Sequence, residues 1–268
     1  MIAGAGVALR QSHFSTIIQT RPAVNWFEVL ADHYLFSHGI LIEKLLAVLS
    51  TTPRVMHCTG MSLGGVDELD YTYLDELRRL IDCVQPAWVS DHLSASKING
   101  VFYPELLPIP YTQESLDNVC RRVDAVQDYL QRPLLIENPV VYAVFEDNEF
   151  SEAEFLSVLV NRTGCGILLD INNLYVNYIN HGIAPSLYFD CLPFSAVKQM
   201  HLAGHIAYQH FLLDTHSQSV QEPVWQLYRS AIKHFQAPTC IEWDSDIPSW
   251  SVLYEEVNKI SGVVYEAC

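Results

Sequence analysis

Histidine, aspartate and glutamate side chains recur along this chain at long, similar intervals. Successive members of the series lie 31 to 45 residues apart. Imidazole and carboxylate groups are ligands for iron, manganese and zinc, and a set of this size could hold more than one ion. The candidate ligands are His57, His92, Glu137, Asp170, His201 and Glu242. Their chemistry would be metal chemistry, provided that the fold brings them together.

Each candidate ligand lies in the C-terminal half of a short apolar run, and eight such runs alternate with segments of helical spacing. The runs are residues 6–9, 26–30, 54–58, 87–92, 133–138, 166–172, 196–204 and 238–243. This alternation predicts βαβ units, and a chain with eight of them and about 250 residues favours a (β/α)₈ TIM barrel. No GxGxxG motif supports an open dinucleotide-binding sheet. We therefore expect one α/β domain over residues 1–268, with the ligands meeting at the C-terminal mouth of the barrel.

Helix signals occupy the segments between the runs. Residues 74–81 carry an amphipathic stripe at helical spacing, and residues 151–160 show a similar pattern. Ser151 and Glu154 have the spacing of a capping box at the start of that second helix. The longest connection, residues 93–112, is expected to be an active-site loop.

No lysine or arginine lies within the strand ends that carry the candidate ligands. A buried cluster of carboxylates and imidazoles is costly unless it is paired or bound to cations, so metal ions are the simplest counter-charge. Glu137, Asp170, Glu242 and Asp214 would supply four negative charges, which balance two divalent ions. A carboxylate such as Glu137 could bridge two ions. The residue types leave iron, manganese and zinc open.

Further candidates lie in the predicted loops. Asn173 follows Asp170 by three residues, and Asp214 and His216 lie two residues apart, so both side chains could point the same way. An ordinary polar turn is the alternative interpretation of that spacing. His205 is interpreted as a residue that orients a ligand rather than as a ligand.

Composition limits the classes of partner. The chain has 31 acidic and 15 basic residues and a formal charge of -16, so a nucleic-acid partner is not expected. No apolar run reaches the roughly 18 residues of a membrane span. Seven cysteines without a CxxC pair argue against a disulfide framework or a zinc–thiolate site, and Cys268 is interpreted as incidental. We expect a protein of the reducing cytoplasm.

Several longer motifs together resemble one known family. They are SDH at 90–92, LLPIPYT at 106–112, RPLLIENP at 132–139, TGCGILLDINN at 163–173, HLAGH at 201–205, DTH at 214–216 and IEWD at 241–244. The chain resembles the domain-of-unknown-function 692 family over nearly its whole length. These are multinuclear non-haem iron oxidases related to the methanobactin and 3-thiaglutamate biosynthesis enzymes.

The resemblance implies a TIM barrel that binds two or three iron ions. It also implies an O₂-dependent oxidase that modifies a cysteine of a ribosomally synthesised precursor peptide. A small partner protein, bound as a heterodimer, would help to recruit that peptide. The resemblance would make six residues catalytic as well as metal-binding: His57, His92, Glu137, Asp170, His201 and Glu242.

Ligand sets carry over by position. The resemblance implies that His57, His92 and Glu137 hold one iron. It implies a second iron on Glu137, Asp170, His201 and Glu242, with Glu137 bridging. A third, more labile site would use Asn173, Asp214 and His216.

Departures from the family pattern affect the reaction and leave the ligands intact. DHY at 32–34 replaces the common ENY, the segment after SDH lacks the usual tryptophan, and HLAGH replaces a motif that a tyrosine follows. The particular cysteine product therefore stays open. The alternatives are a non-redox di- or trinuclear isomerase or hydrolase on the same barrel, and a non-catalytic protein that binds metal or peptide.

Overall fold

Eight parallel strands close into a barrel in the computed structural model of this chain, which describes residues 2–267. Met1 and Cys268 lie outside the described residues. The barrel strands are β1 (Ala5–Ala8), β2 (Trp26–Leu30), β3 (Arg54–His57), β4 (Val89–His92), β7 (Leu134–Glu137), β8 (Gly166–Asp170), β9 (Val197–Leu202) and β12 (Thr239–Ile241). Around the barrel they follow the order β1-β12-β9-β8-β7-β4-β3-β2. The predicted (β/α)₈ TIM barrel is confirmed.

Helices connect the strands and surround the barrel. They are α1 (Phe14–Thr20), α2 (Ile40–Leu49), α3 (Tyr71–Val84), α4 (Gln113–Leu130), α5 (Glu152–Thr163), α6 (Ile171–His181), α7 (Ser186–Cys191), α8 (Glu222–His234) and α9 (Trp250–Ala267), with short 3₁₀ turns at Gln11–His13 and Ala31–His33. The predicted stripe lies on α3, and the predicted capping box of Ser151 and Glu154 starts α5. The large apolar core lies between these helices and the outer face of the strands.

The inner face of the barrel changes in character along its axis. Side chains of one strand alternate between the helices and the barrel interior. A small apolar cluster that includes Trp26, Val55 and Cys240 packs with Trp88 inside the barrel. Two residues beyond Val55 and Cys240 are His57 and Glu242, so the same inward face becomes polar at the C-terminal end.

Two antiparallel hairpins extend from this C-terminal end. The connection after β4, which was expected to be a loop, forms a hairpin of β5 (Ala95–Ile98) and β6 (Val101–Leu107). Asn99 and Gly100 both have positive φ at its turn, the conformation that an Asn-Gly pair adopts readily in a tight hairpin. The second hairpin, β10 (Ile206–Tyr208) with β11 (Phe211–Leu213), follows β9.

Cysteine thiols and helix lengths complete the description of the fold. The six cysteines among the described residues are free thiols. Within residues 2–267, no helix combines the length and the apolar character that crossing a membrane would require.

Candidate metal centre

The six predicted ligands converge at the C-terminal mouth of the barrel. Four of them are the last residue of their strand, His201 is the penultimate residue of β9, and Glu242 directly follows β12. All six are buried, with 0 to 7% of each residue exposed. Strand register helps to bring them together, because His92 pairs with Glu137 and Asp170 pairs with His201 on adjacent strands.

The first group, which we call site A, consists of His57, His92 and Glu137. Nε2 of His57 lies 3.2 Å from Glu137 Oε2, and Nε2 of His92 lies 3.3 Å from the same oxygen. Ser90 determines the tautomer of His57, since its hydroxyl donates to the Met56 carbonyl at 3.3 Å and accepts from His57 Nδ1 at 2.8 Å. The Nε2 lone pair of His57 is therefore free to bind a metal ion.

The second group, site B, consists of Glu137, Asp170, His201 and Glu242. Nδ1 of His201 lies 3.0 Å from Glu242 Oε2, 3.3 Å from Glu137 Oε1 and 3.9 Å from Asp170 Oδ2. In each of the two groups the potential ligand atoms all lie within 4.8 Å of one another. Glu137 directs one carboxylate oxygen at each group, which is the geometry of a bridging ligand.

Several of these atoms are buried without a hydrogen-bond partner. They include Glu137 Oε2, Asp170 Oδ2 and His201 Nδ1. No lysine or arginine within residues 2–267 forms an ion pair with Glu137, Asp170 or Glu242. Buried acceptors without donors are costly, and a divalent cation would satisfy them. The nitrogen and oxygen donor set fits iron, manganese or zinc.

Burial and mutual repulsion shift the pKa values of these groups strongly. Burial and the neighbouring Glu137 carboxylate raise the pKa of Asp170 to about 8. Burial and the positive field of His92 hold the pKa of His57 well below its usual range. Burial also acts to lower the pKa of His201, but Glu28, Glu242 and Glu137 outweigh it and raise that pKa. The pKa shifts therefore favour the neutral form of His57 and the protonated forms of Asp170 and His201. Strongly shifted pKa values of this kind cluster at functional sites.

Asp214 and His216, predicted as a loop pair, lie together beside site B. Asp214 Oδ1 is 2.7 Å from His216 Nε2. Nδ1 of His216 lies 3.0 Å from Asp244 Oδ2 and 3.3 Å from Glu242 Oε2. An ordinary polar turn therefore does not fully explain the segment 214–216, because His216 contacts the carboxylates of the cluster.

Asn173 lies in the first turn of α6, next to Asp170. Its backbone N–H donates to Asp170 Oδ1 at 2.6 Å, and its side-chain amide donates to the Asn138 carbonyl at 3.0 Å. Its Oδ1 is buried and lacks a hydrogen-bond partner. This oxygen is available as a ligand beside Asp170.

His205 contacts the loop group only indirectly. Its Nδ1 lies 2.8 Å from the Asn172 side-chain oxygen, and the amide of Asn172 donates to Asp214 at 2.7 Å. This arrangement fits a residue that orients a neighbour of the ligands.

Sequence reasoning missed several residues that contact the candidate ligands, among them Glu28, Ser90 and Asp244. Glu28 was detectable as the one carboxylate inside the apolar run WFEVL, and Asp244 shares the parity of Glu242 two residues earlier. Ser90 carries no such signal, because a small hydroxyl in a strand is common.

Known proteins resemble this chain in sequence over most of its length. A UPF0276 protein of Acaryochloris marina is 43% identical over 259 residues, covering 96% of this chain and 94% of that protein. A UPF0276 protein of Chromobacterium violaceum is 42% identical over 260 residues, with 97% and 94% covered.

Solved structures share the fold at low sequence identity. Endonuclease IV from Thermus thermophilus matches with a TM-score of 0.65 at 14% identity, covering 99% of this chain and 100% of that one. D-psicose 3-epimerase from Clostridium cellulolyticum matches with a TM-score of 0.61 at 10% identity, with 98% and 97% covered. These likenesses establish the barrel alone.

The family comparison agrees with the motifs found in the sequence. Residues 4–265 match the family described as RiPP precursor modification enzyme MbnB/TglH/ChrH, where RiPP denotes a ribosomally synthesised and post-translationally modified peptide. The chain belongs to this family of RiPP precursor modification enzymes.

Proposed function

We propose that this protein is a multinuclear non-haem iron oxidase that uses O₂ to modify a cysteine residue of a ribosomally synthesised precursor peptide. A small partner protein would bind it as a heterodimer and help to recruit the peptide. The observation that carries this proposal is the Glu137 carboxylate, which directs one oxygen to site A and the other to site B. Family membership supports a peptide substrate. The choice of iron rests on the resemblance of the sequence motifs to the multinuclear non-haem iron oxidases, and the nitrogen and oxygen donor set fits it.

His57, His92 and Glu137 would hold one iron, and Glu137, Asp170, His201 and Glu242 a second. Asn173, Asp214 and His216 would hold a third, more labile ion. Bound iron would supply the redox chemistry that couples oxidation of a cysteine residue to reduction of O₂. Site A would offer three protein donors to an iron ion, and an ion held there would favour the thiolate form of a substrate cysteine.

Aromatic side chains around the mouth support a peptide substrate. Phe102 and Tyr103 are exposed on β6, Tyr142 is exposed in the loop after β7, and Tyr208 is exposed on β10. All of these segments follow the C-terminal ends of barrel strands. The Tyr142 hydroxyl accepts a hydrogen bond from the Asp214 backbone N–H at 2.9 Å, so this loop borders the candidate centre. Aromatic residues with a polar tip contact peptides well at such rims.

Anaerobic reconstitution with Fe(II) tests the proposal. The purified protein would be combined with its partner and with cysteine-containing peptides encoded beside the gene, and then exposed to O₂. We expect O₂ consumption and a change in the mass of one peptide. His92→Ala and Asp170→Ala should abolish both signals, whereas His234→Ala, an exposed histidine at the end of α8, should retain them.

Two results would contradict the oxidase. Stoichiometric zinc with no O₂ uptake would favour the non-redox metalloenzyme. Peptide binding without any change of mass across all neighbouring peptides would favour a binding protein.

A further inference from the structure

We infer that Glu28 is a positioning residue for the metal ion of site B, because it holds the Nε2 hydrogen of His201 and so leaves the Nδ1 lone pair of His201 for the metal. Glu28 lies on β2, below the candidate ligands, and belongs to none of the ligand sets. This inference rests on the metal centre of the proposed function. It does not depend on the identity of the peptide or on the oxidation.

Contacts around Glu28 show what it does. Its side chain is fully buried, and its two oxygens lie 2.9 and 3.0 Å from His201 Nε2. On the opposite side of the same imidazole, Nδ1 faces Glu242, Glu137 and Asp170. An imidazole that donates from Nε2 to a carboxylate binds a metal through Nδ1, and the carboxylate strengthens it as a ligand.

Trp88 and Gln199 fix the direction of this hydrogen bond. The indole Nε1 of Trp88 can only donate, and it lies 2.6 Å from Gln199 Oε1. The Gln199 amide must therefore direct its NH₂ group the other way, where it donates to Glu28 Oε2 at 2.5 Å. Glu28 therefore accepts the hydrogen bond from Gln199, and it can accept a second one from the Nε2–H group of His201.

The same arrangement argues against a metal ion at Glu28 itself. Glu28, His201 and Cys240 have the spacing of a metal-binding trio. The NH₂ group of Gln199 lies 2.9 Å from His201 Nε2 and shares the carboxylate with it. Two N–H donors therefore converge on the position that a cation would need, so this space holds hydrogen bonds.

The two histidines of site A have different partners at the nitrogen that faces away from Glu137. Nδ1 of His92 lies 3.6 Å from the buried Asp91 carboxylate, which is a longer contact than that between Glu28 and His201. The far nitrogen of His57 donates to the neutral Ser90 hydroxyl at 2.8 Å. A charged acceptor raises the basicity of an imidazole more than a neutral one does. His201 should therefore donate more strongly to a metal ion than His57 does.

Glu28→Gln tests this role because it removes the charge and keeps the shape. Wild type and variant would be dialysed anaerobically against Fe(II) without peptide, partner or O₂, and bound iron would be counted and examined by Mössbauer spectroscopy. We expect about a 10- to 100-fold loss of affinity at one site, with the other site unchanged. The reduction potential of the affected iron should rise.

Three variants serve as controls and as a second route. Cys240→Ala removes the long hydrogen bond of 3.7 Å that the Cys240 thiol donates to Glu28 Oε1, but it keeps the Glu28 carboxylate as the acceptor of the His201 N–H, so it should keep wild-type iron affinity. Ser90→Ala should weaken the other iron instead, with a different Mössbauer component lost. Trp88→Phe removes the donor that orients Gln199, and it should weaken the Glu28-dependent iron to a smaller extent even if Glu28→Gln does not fold.

The outcomes separate this inference from the proposed function. Wild-type affinity and spectra in both Glu28→Gln and Trp88→Phe would overturn the inference and leave the oxidase standing. Loss of iron in Cys240→Ala would also overturn it, in favour of a metal ion bound by the trio of Glu28, His201 and Cys240. A wild-type protein that binds no iron would overturn both proposals, whereas normal iron binding without peptide oxidation would overturn the oxidase alone.

Discussion

Asp170 illustrates how one carboxylate serves both the fold and the candidate centre. Its Oδ1 caps α6 by accepting the Asn173 N–H, as good N-cap residues do. Its Oδ2 faces the cluster without a hydrogen-bond partner. Asp170 therefore stabilises helix α6 and destabilises the metal-free centre. Asp170→Asn separates the two effects, because it replaces one carboxylate oxygen by a neutral NH₂ group.

Asp170→Asn should stabilise the metal-free protein at alkaline pH. The pKa of Asp170 rises from 3.8 to about 8 in the folded chain, so folding takes up a proton between these values. That contribution to stability is present at low pH and is lost as the pH rises through 8. An amide keeps the cap and carries no charge, so we expect a gain on the order of 2 to 5 kcal/mol at pH 8 and little change at pH 4.

Denaturant titration of the chelated proteins at the two pH values measures this difference. At saturating metal concentration the wild type should be the more stable protein, because its Asp170 carboxylate binds the ion with a negative charge that the asparagine of the variant lacks. A variant less stable than wild type at pH 8 without metal would show that the carboxylate is compensated in another way.

The loop after β9 positions the third group of candidate ligands. Gly204 follows this strand, and a Cβ at its position would lie 2.1 Å from the backbone oxygen of Gln218. The segment that reaches Gln218 carries Asp214 and His216. Glycine at 204 therefore allows the turn after β9 to pack directly against the backbone that carries these two side chains.

Gly204→Ala should displace this segment while leaving the barrel closed. We expect a loss of about 1 to 3 kcal/mol in the free energy of unfolding, as for other overpacked positions. The most labile metal ion should be lost, and the ions of sites A and B should remain. Iron content and denaturant titration measure the two effects.

Gly262→Ala is a matched control for this change. Gly262 lies on α9, and a Cβ at its position would meet no atom within 4 Å. Alanine there should therefore stabilise the helix by about 0.5 to 1 kcal/mol. Retention of all metal ions in Gly204→Ala would contradict the role assigned to the turn.

At the scale of the whole molecule, the barrel buries several carboxylates close together, which destabilises the metal-free fold. Carboxylates from β7, β8 and the end of β12 lie together with almost no solvent exposure. The chain has a formal charge of -16, so distant basic residues offer little compensation. Bound cations would neutralise the cluster and link strands from opposite sides of the barrel.

Metal binding should therefore stabilise the whole fold. A ligand that binds only the folded state at 100 times its Kd adds about 2.7 kcal/mol per site. We expect anaerobic Fe(II) or Mn(II) to raise the midpoint of thermal unfolding and a chelator to reverse the change. The double variant His92→Ala and Asp170→Asn should show little of this shift, and an equal shift in that variant would place the stabilising ions elsewhere.

Some features of this protein follow from the sequence alone. The alternation of apolar runs and helical stripes predicts the barrel, since a parallel strand buried on both faces needs a continuous apolar run. His57, His92, Glu137, Asp170 and Glu242 could be named because they stand at the ends of such runs. Strand ends in a closed barrel must meet at one mouth, so regular spacing in sequence translates into proximity.

The tertiary structure decided the partners of these residues. That Glu137 faces both groups and that Glu28 accepts from His201 depends on barrel register, which pairs strands far apart in the chain. The contact of His216 with Asp244 joins the loop after β9 to the end of β12. The hairpin at Asn99 and Gly100 is different, because the Asn-Gly pair is a local signal that the sequence analysis overlooked. Spacing along one strand fixes which face a side chain takes, whereas the atom it meets there is set by neighbouring strands and loops that the local sequence does not encode.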